Sequence, residues 1–310
     1  MTVPRRIARI VRAVEQDEGF DGRVLRTIGQ PGFRNFSPFL MLDHSSTPNP
    51  GSFPDHPHRG QETITYLIQG KLQHEDFAGN KGILNSGDLQ FMTAGRGIMH
   101  AEYPLPAEDS VSEGLQLWVD LPAKLKYCEP RYRDLRAKEI PNLKLDGGKV
   151  LVKVISGESH GVESVRELAY TPVWLFDITI QPGGKITQPL PAGYNAFAYT
   201  LSGRTSFSGG DPSAASSNAK DAAVVGPHIN CVFEQSGECV VASVPSDAEE
   251  AGRFVLAAGS PLDQKVVQHG PFVLTTQEEV SQAMRDFRTF SNGFERAKGW
   301  QSEISKKVFG

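Results

Sequence analysis

The stretch Tyr66-Leu-Ile-Gln-Gly-Lys71 is echoed 133 positions later as Tyr199-Thr-Leu-Ser-Gly-Arg204. Each copy is a short apolar run closed by a glycine and a basic residue, which reads as a strand entering a turn. Each lies inside a β-rich half of similar size. Two copies of one β-domain are the economical reading of such a repeat. Length agrees, because 310 residues make about two domains.

From Arg5 to Val119 the runs are short and split by Gly, Pro and Asp, as at Thr63–Ile68, Leu89–Thr93 and Leu115–Val119. Runs of the same kind return at Val150–Ile155, Val173–Ile180 and Phe197–Leu201. Between them, Glu129–Gly148 crowds Arg131, Arg133, Asp134, Arg136, Lys138 and Glu139 among Pro130, Pro141 and a Gly pair. That density of charge and turn residues reads as an interdomain connection. The expected division is a domain over 1–135, a linker over 136–148 and a second domain over 149–310. Gly209–Lys220, rich in Ser, Ala and Gly, reads as a mobile surface loop. One helix is well specified. Thr276 and Glu279 have capping-box spacing, and Val280, Ala283, Met284 and Phe287 then form an apolar face. Asn292-Gly293 supplies the stop, and a second short helix is expected around Phe294–Lys306.

Composition narrows the function classes. With a net charge of −4, the composition does not signal a direct electrostatic grip on nucleic-acid phosphates. Three cysteines (Cys128, Cys231, Cys239) are too few and scattered for a disulfide framework or a thiolate metal site, and read as reduced intracellular thiols. The uncharged stretch Ile186–Gly203 holds Pro189, Pro191 and Gly193, so no membrane-spanning helix is expected. Arg5, Arg6, Arg9 and Arg12 precede the first acid, Glu15, and resemble a transit peptide weakly; the segment reads as an exposed first strand or arm.

The chemistry concentrates at His56-Pro57-His58, followed by Glu62. Side chains at i and i+2 of a strand share a face, so the two imidazoles converge. A second run passes from Gly87-Asp88 through Gly95-Arg96-Gly97 to His100-Ala101-Glu102, where His100 and Glu102 again share a face. Three imidazoles and one carboxylate from two strands make a divalent metal site. Imidazole suits iron, zinc, copper and nickel, and a His/carboxylate set with open positions suits non-haem Fe(II). The 133-residue offset puts Pro189, Pro191 and Asn195 where His56, His58 and Glu62 stand, and none can replace an imidazole. His228 and His269 stand apart, as do His44, His74 and His160, with His74 the one placed to face a pocket. One metal per chain is expected, in the first half.

The strings HPHRGQETITYLIQG (His56–Gly70) and GDLQFMTAGRGIMHAE (Gly87–Glu102) resemble the two metal-binding motifs of the cupin superfamily, in the form found in pirins. Thr93-Ala94-Gly95 stands where general cupins carry Pro-x-Gly, a departure that is itself pirin-like. Phe53–Gly60, Gly114–Leu121, Val266–Glu279 and Asn292–Trp300 are similar to pirin segments as well, so the resemblance runs from about Ile7 to Trp300. The Gly209–Lys220 loop is least alike.

The resemblance implies an all-β fold of two cupin (jelly-roll) β-barrels with a short C-terminal helical segment. It implies one non-haem iron, Fe(II)/Fe(III), in the N-terminal barrel, other divalent metals being compatible. The implied ligands are His56, His58, His100 and Glu102. Glu62 keeps two readings: a metal ligand, as in many cupins, or an acceptor that orients a ligand imidazole. The implied activity is that of a quercetin 2,3-dioxygenase: a flavonol binds through its 3-hydroxyl, Glu102 takes the proton, and O2 opens the heterocycle with release of carbon monoxide. The competing implication is a nuclear transcriptional cofactor that binds transcription-factor complexes with the iron oxidation state as a switch, Arg59 and Arg96 forming part of its surface. A monomer of the nucleus and/or cytoplasm, with no direct nucleic-acid grip and no membrane contact, completes the expectation.

Overall fold

Strand after strand, burial alternates with the period of two that an antiparallel sheet over one core demands. In Val150–Ser156, Val150, Val152 and Val154 are buried while Leu151 and Lys153 lean outward. In Lys185–Pro189, Ile186 and Gln188 face in. Central strands such as Phe39–Ser45 and Gln61–Gln69 are buried along nearly their whole length. The computed structural model describes residues 2–45, 51–105, 112–165, 169–208 and 222–309. The loop expected over Gly209–Lys220 lies outside the described residues.

The chain forms two units, each a jelly roll of a seven-stranded and a four-stranded antiparallel sheet. In the first barrel the large sheet runs Arg131–Leu135, Leu89–Thr93, Gln61–Gln69, Glu113–Asp120, Phe39–Ser45, Gly22–Ile28 and Val14–Glu18. In the second it runs Ile7–Arg12, Ile229–Phe233, Asn195–Ser202, Gly252–Gly259, Val173–Ile180, Val150–Ser156 and Asn142–Leu145. These orders correspond strand for strand, and the repeated Tyr66 and Tyr199 segments fall on equivalent strands. The small sheets match as well: Phe53–His58, Ile98–Pro104, Lys71–Asp76 and Lys81–Asn85 against Lys185–Pro189, Cys239–Ser243, Thr205–Ser208 and Ala222–Val225. The second barrel is filled by an apolar cluster that includes Phe176, Phe207, Phe233 and Phe254.

Two features differ from the sequence reading. Contacts group Met1–Ala13, Lys138–Leu168 and Pro172–Pro261 as one unit, and Val14–Ala137, Ala169–Thr171 and Leu262–Gly310 as the other. The N-terminal arm is thus an edge strand of the second barrel, paired with Ile229–Phe233, and the chain after Leu262 belongs with the first. The charged segment 136–148 and its flanks are largely ordered rather than an irregular tether. Arg131–Leu135 and Asn142–Leu145 are the outermost strands of the two large sheets. Charge is concentrated there because edge strands use charged side chains to avoid pairing with foreign strands.

The capped helix, α1, spans Gln277–Thr289. The Thr276 side chain accepts from the Glu279 amide, and the Glu279 carboxylate accepts from the Thr276 amide. Its face of Val280, Ala283, Met284 and Phe287 packs with Phe272, Leu274 and Phe294. It ends at Phe290, in the left-handed region at φ 53°, just ahead of the expected Asn292-Gly293 stop. The region of the second expected helix splits into a 3-10 turn at Glu295–Ala297 and a short helix, α2, at Glu303–Phe309.

Candidate metal centre

Two antiparallel strands build the centre. Phe53–His58 carries His56 and His58, and Ile98–Pro104 carries His100 and Glu102. His56 pairs directly with His100, and a bulge between His100 and Glu102 moves the partner of Glu102 to Phe53. Ligand nitrogens of His56, His58 and His100 all lie within 4.8 Å of one another. The ring centroids stand 4.4 Å (His56–His100), 4.9 Å (His56–His58) and 5.0 Å (His58–His100) apart. Among the described residues this is the one such group of three or more donors.

Electrostatics leaves the three rings as neutral donors. Burial lowers the pKa of His56, and burial together with the other imidazoles holds His58 and His100 well below the ordinary histidine value. The outer nitrogens are engaged within the protein. His56 Nδ1 donates to Pro54 O at 2.8 Å, His58 Nδ1 lies 3.0 Å from the side-chain Nε2 of Gln61, and His100 Nδ1 lies 3.4 Å from the Tyr132 hydroxyl. Among the described residues, the buried His100 Nε2 has no hydrogen-bond partner. A buried polar atom left so costs about 1–3 kcal/mol, which a bound cation would offset. The donor set therefore fits a divalent metal.

Glu102 is buried beside them, and burial raises its pKa. Its Oε1 accepts from Thr65 Oγ1 at 3.3 Å and its Oε2 from Gln116 Nε2 at 3.4 Å. His56, His58 and Glu102 line a cavity of about 470 Å³, in the range of small-molecule sites. Its other walls are mainly apolar, with Met41, Phe53, Leu115 and Trp118 prominent. Trp118 meets His58 edge to face at 5.1 Å. The Arg26–Asp43 ion pair forms a polar stretch of the wall, where burial lifts Asp43 to about 6.

The Pirin family model matches residues 21–119, and the model of the pirin C-terminal cupin domain matches residues 175–293. The chain belongs to the pirin family. Human pirin is 45% identical over 301 residues, covering 97% of this chain and 98% of its own. A pirin-like protein of tomato is 43% identical over 300 residues, 97% of each chain. Among solved structures, a quercetin 2,3-dioxygenase of Acinetobacter baumannii superposes with a TM-score of 0.80 at 27% identity, covering 93% of this chain and 98% of its own. GK1651 of Geobacillus kaustophilus gives 0.70 at 32% identity, over 86% and 100%. The two units are cupin domains.

Within this pirin-family frame the structure gathers His56, His58 and His100 tightly and sets Glu102 on the same cavity. Glu62 points elsewhere. Its carboxylate is occupied by Thr93 Oγ1 (2.7 Å) and by the amides of Tyr170 (3.0 Å) and Thr171 (3.1 Å), so no imidazole is oriented by it. His74 stacks on Tyr132, with ring planes 8° apart, and is not part of the cavity wall. Arg59, expected on a docking surface, is buried: its Nη1 donates to Asp286 Oδ2 at 2.7 Å and its guanidinium lies 4.7 Å from the Phe294 ring centroid. Arg96 pairs with Glu129 at 3.0 Å. Pro189 pairs with Cys239 as His56 pairs with His100, so the equivalent position of the second barrel lacks the imidazole pair. Sequence reasoning missed Thr65, Gln116 and Tyr132.

Proposed function

We propose that the chain is a mononuclear iron-dependent dioxygenase that opens the heterocycle of a flavonol-like substrate, with His56, His58, His100 and Glu102 as metal ligands. The observation that carries this reading is the buried convergence of three neutral imidazoles beside an apolar cavity. The likeness to the Acinetobacter quercetin 2,3-dioxygenase supports the reaction class. An iron held by these residues would supply Lewis acidity and an electron conduit between substrate and O2.

The chain's own residues do the remaining work. The neutral rings present lone pairs at physiological pH because desolvation opposes their protonation. Glu102, with its pKa raised by burial, is the base for the acidic hydroxyl of the substrate, and Thr65 and Gln116 hold its carboxylate. Phe53, Leu115 and Trp118 flank a flat aromatic ligand and keep water from it. Overall, O2 adds to the flavonol and carbon monoxide leaves with formation of a depside. The test is oxygen uptake and carbon monoxide release on quercetin. We expect both to require metal and to fall at least about 100-fold in Glu102→Ala, as for loss of a positioned acid–base group. Turnover unaffected by His100→Ala or Glu102→Ala would overturn the reading.

A further inference from the structure

The His56/His58 pair is flanked on both sides by residues fastened to one distant piece of chain. Immediately before His56, Asp55 accepts from Ser302 N at 3.1 Å and from Ser305 Oγ at 2.9 Å. Immediately after His58, Arg59 donates to Asp286 Oδ2 (2.7 Å) and to Asn292 O (2.6 Å). The second ligand strand is tied to the same piece. Arg59 Nε donates to Arg96 O at 2.6 Å, in the turn leading to His100. A Cβ on Gly97 would meet the Phe294 ring at 2.9 Å. Tyr103, next to Glu102, shares a hydrogen bond of 3.2 Å with Ser305 Oγ. Each implied ligand thus lies within four residues of a group held by residues 286–305.

The Arg59–Asp286 and Tyr103–Ser305 ties are buried, the others are part-buried, and those of Asp55 and Arg59 involve a charged group. Arg59 is 1% exposed and Asp286 3%. Burial alone would raise the Asp286 carboxyl, but hydrogen bonds from Arg59, Asn292 and Gln282 outweigh it and hold it below the ordinary aspartate value. Ser305 Oγ donates to Asp55, and it receives a hydrogen bond from Ser302 Oγ at 2.8 Å. Such geometry constrains position tightly, because a buried charged partner cannot be lost without leaving the other unpaired.

We propose that Asp55 and Arg59 are positioning residues through which the C-terminal segment 286–305 sets the imidazoles and retains the metal. The proposal rests on the metal reading above. Hydrogen-bond partners behind metal ligands typically change metal affinity by about 10–100-fold.

The test uses the full chain loaded with Co(II), whose visible bands report ligand placement and whose loss to a chelator reports retention. Two variants weaken the ties from the C-terminal side without touching a ligand strand: Asp286→Asn removes the anionic partner of Arg59, and Ser305→Ala removes the hydroxyl shared by Asp55 and Tyr103. The control is Thr276→Ala, which loosens the start of α1 but touches neither tie. The thermal midpoint of each metal-free protein is measured alongside, and Ser305→Ala serves if Asp286→Asn folds poorly. We expect Co(II) loss to quicken by about tenfold in the tie variants, with shifted visible bands, and to stay within about twofold of wild type in Thr276→Ala. Unchanged rates and bands in folded tie variants would overturn the proposal, as would an equal rise in the control. Failure of the wild-type chain to take up Co(II) would instead overturn the metal reading, and this proposal with it.

Discussion

His100 sets the chemistry at the scale of single residues. Its buried Nε2 has no hydrogen-bond partner among the described residues, and its ligand nitrogen lies within 4.8 Å of those of two further imidazoles. In the metal-free chain this has a pH consequence. The folded pKa values of His56, His58 and His100 lie below the ordinary 6.5, so the unfolded chain binds protons more readily than the folded one. Their contribution to stability is present above the unfolded value near 6.5 and is lost as pH falls through the folded values. We predict that chemical denaturation of metal-free protein shows falling stability below about pH 6.5, with a shallower fall in His58→Ala. An identical slope in the two proteins would contradict the assignment. The same-face pairs His56/His58 and His100/Glu102 were legible because the period-two rule needs only local spacing, whereas the preference for Glu102 over Glu62 came from the pirin resemblance. Thr65 and Tyr132 were not, because each reaches the site from a neighbouring strand whose register no local pattern fixes. Arg59 was misread for the same reason: its partners Asp286 and Asn292 are more than 220 residues away.

Elements show the same division between local and distant information. Helix α1 was readable to its first residue because a capping box is written in four consecutive positions. Thr276→Ala should destabilise the first barrel by about 0.5–2 kcal/mol in urea unfolding, the usual cost of losing such a cap. No measurable loss would show that α1 is held by its apolar face alone. The strands Leu89–Thr93 and Val173–Ile180 coincide with the runs read from sequence, since both are apolar and bounded by turn residues. The charged strands Arg131–Leu135 and Asn142–Leu145 escaped that reading. Edge strands do not need to be apolar on either face, so composition made them look like a tether.

At the scale of the molecule, the repeat foretold two units of one topology, and the sheet orders repeat strand for strand. What it could not show is which segment completes which sheet. Ile7–Arg12 and Arg131–Leu135 hold equivalent edge positions in different units, and only tertiary pairing decides between them. Ile7 is 3% exposed within the second barrel's core, opposite Phe233. Ile7→Ala should therefore cost about 2–5 kcal/mol, speed hydrogen exchange in Ile229–Phe233 and leave metal content unchanged. Unaltered exchange in that strand would contradict the assignment of the arm. The central claim is that a single metal sits on His56, His58, His100 and Glu102 in the first barrel. Elemental analysis of metal per chain, in wild type and His58→Ala side by side, tests it most directly. The account predicts one equivalent in wild type and close to none in a variant whose circular dichroism is unchanged, whereas full occupancy in folded His58→Ala would contradict it.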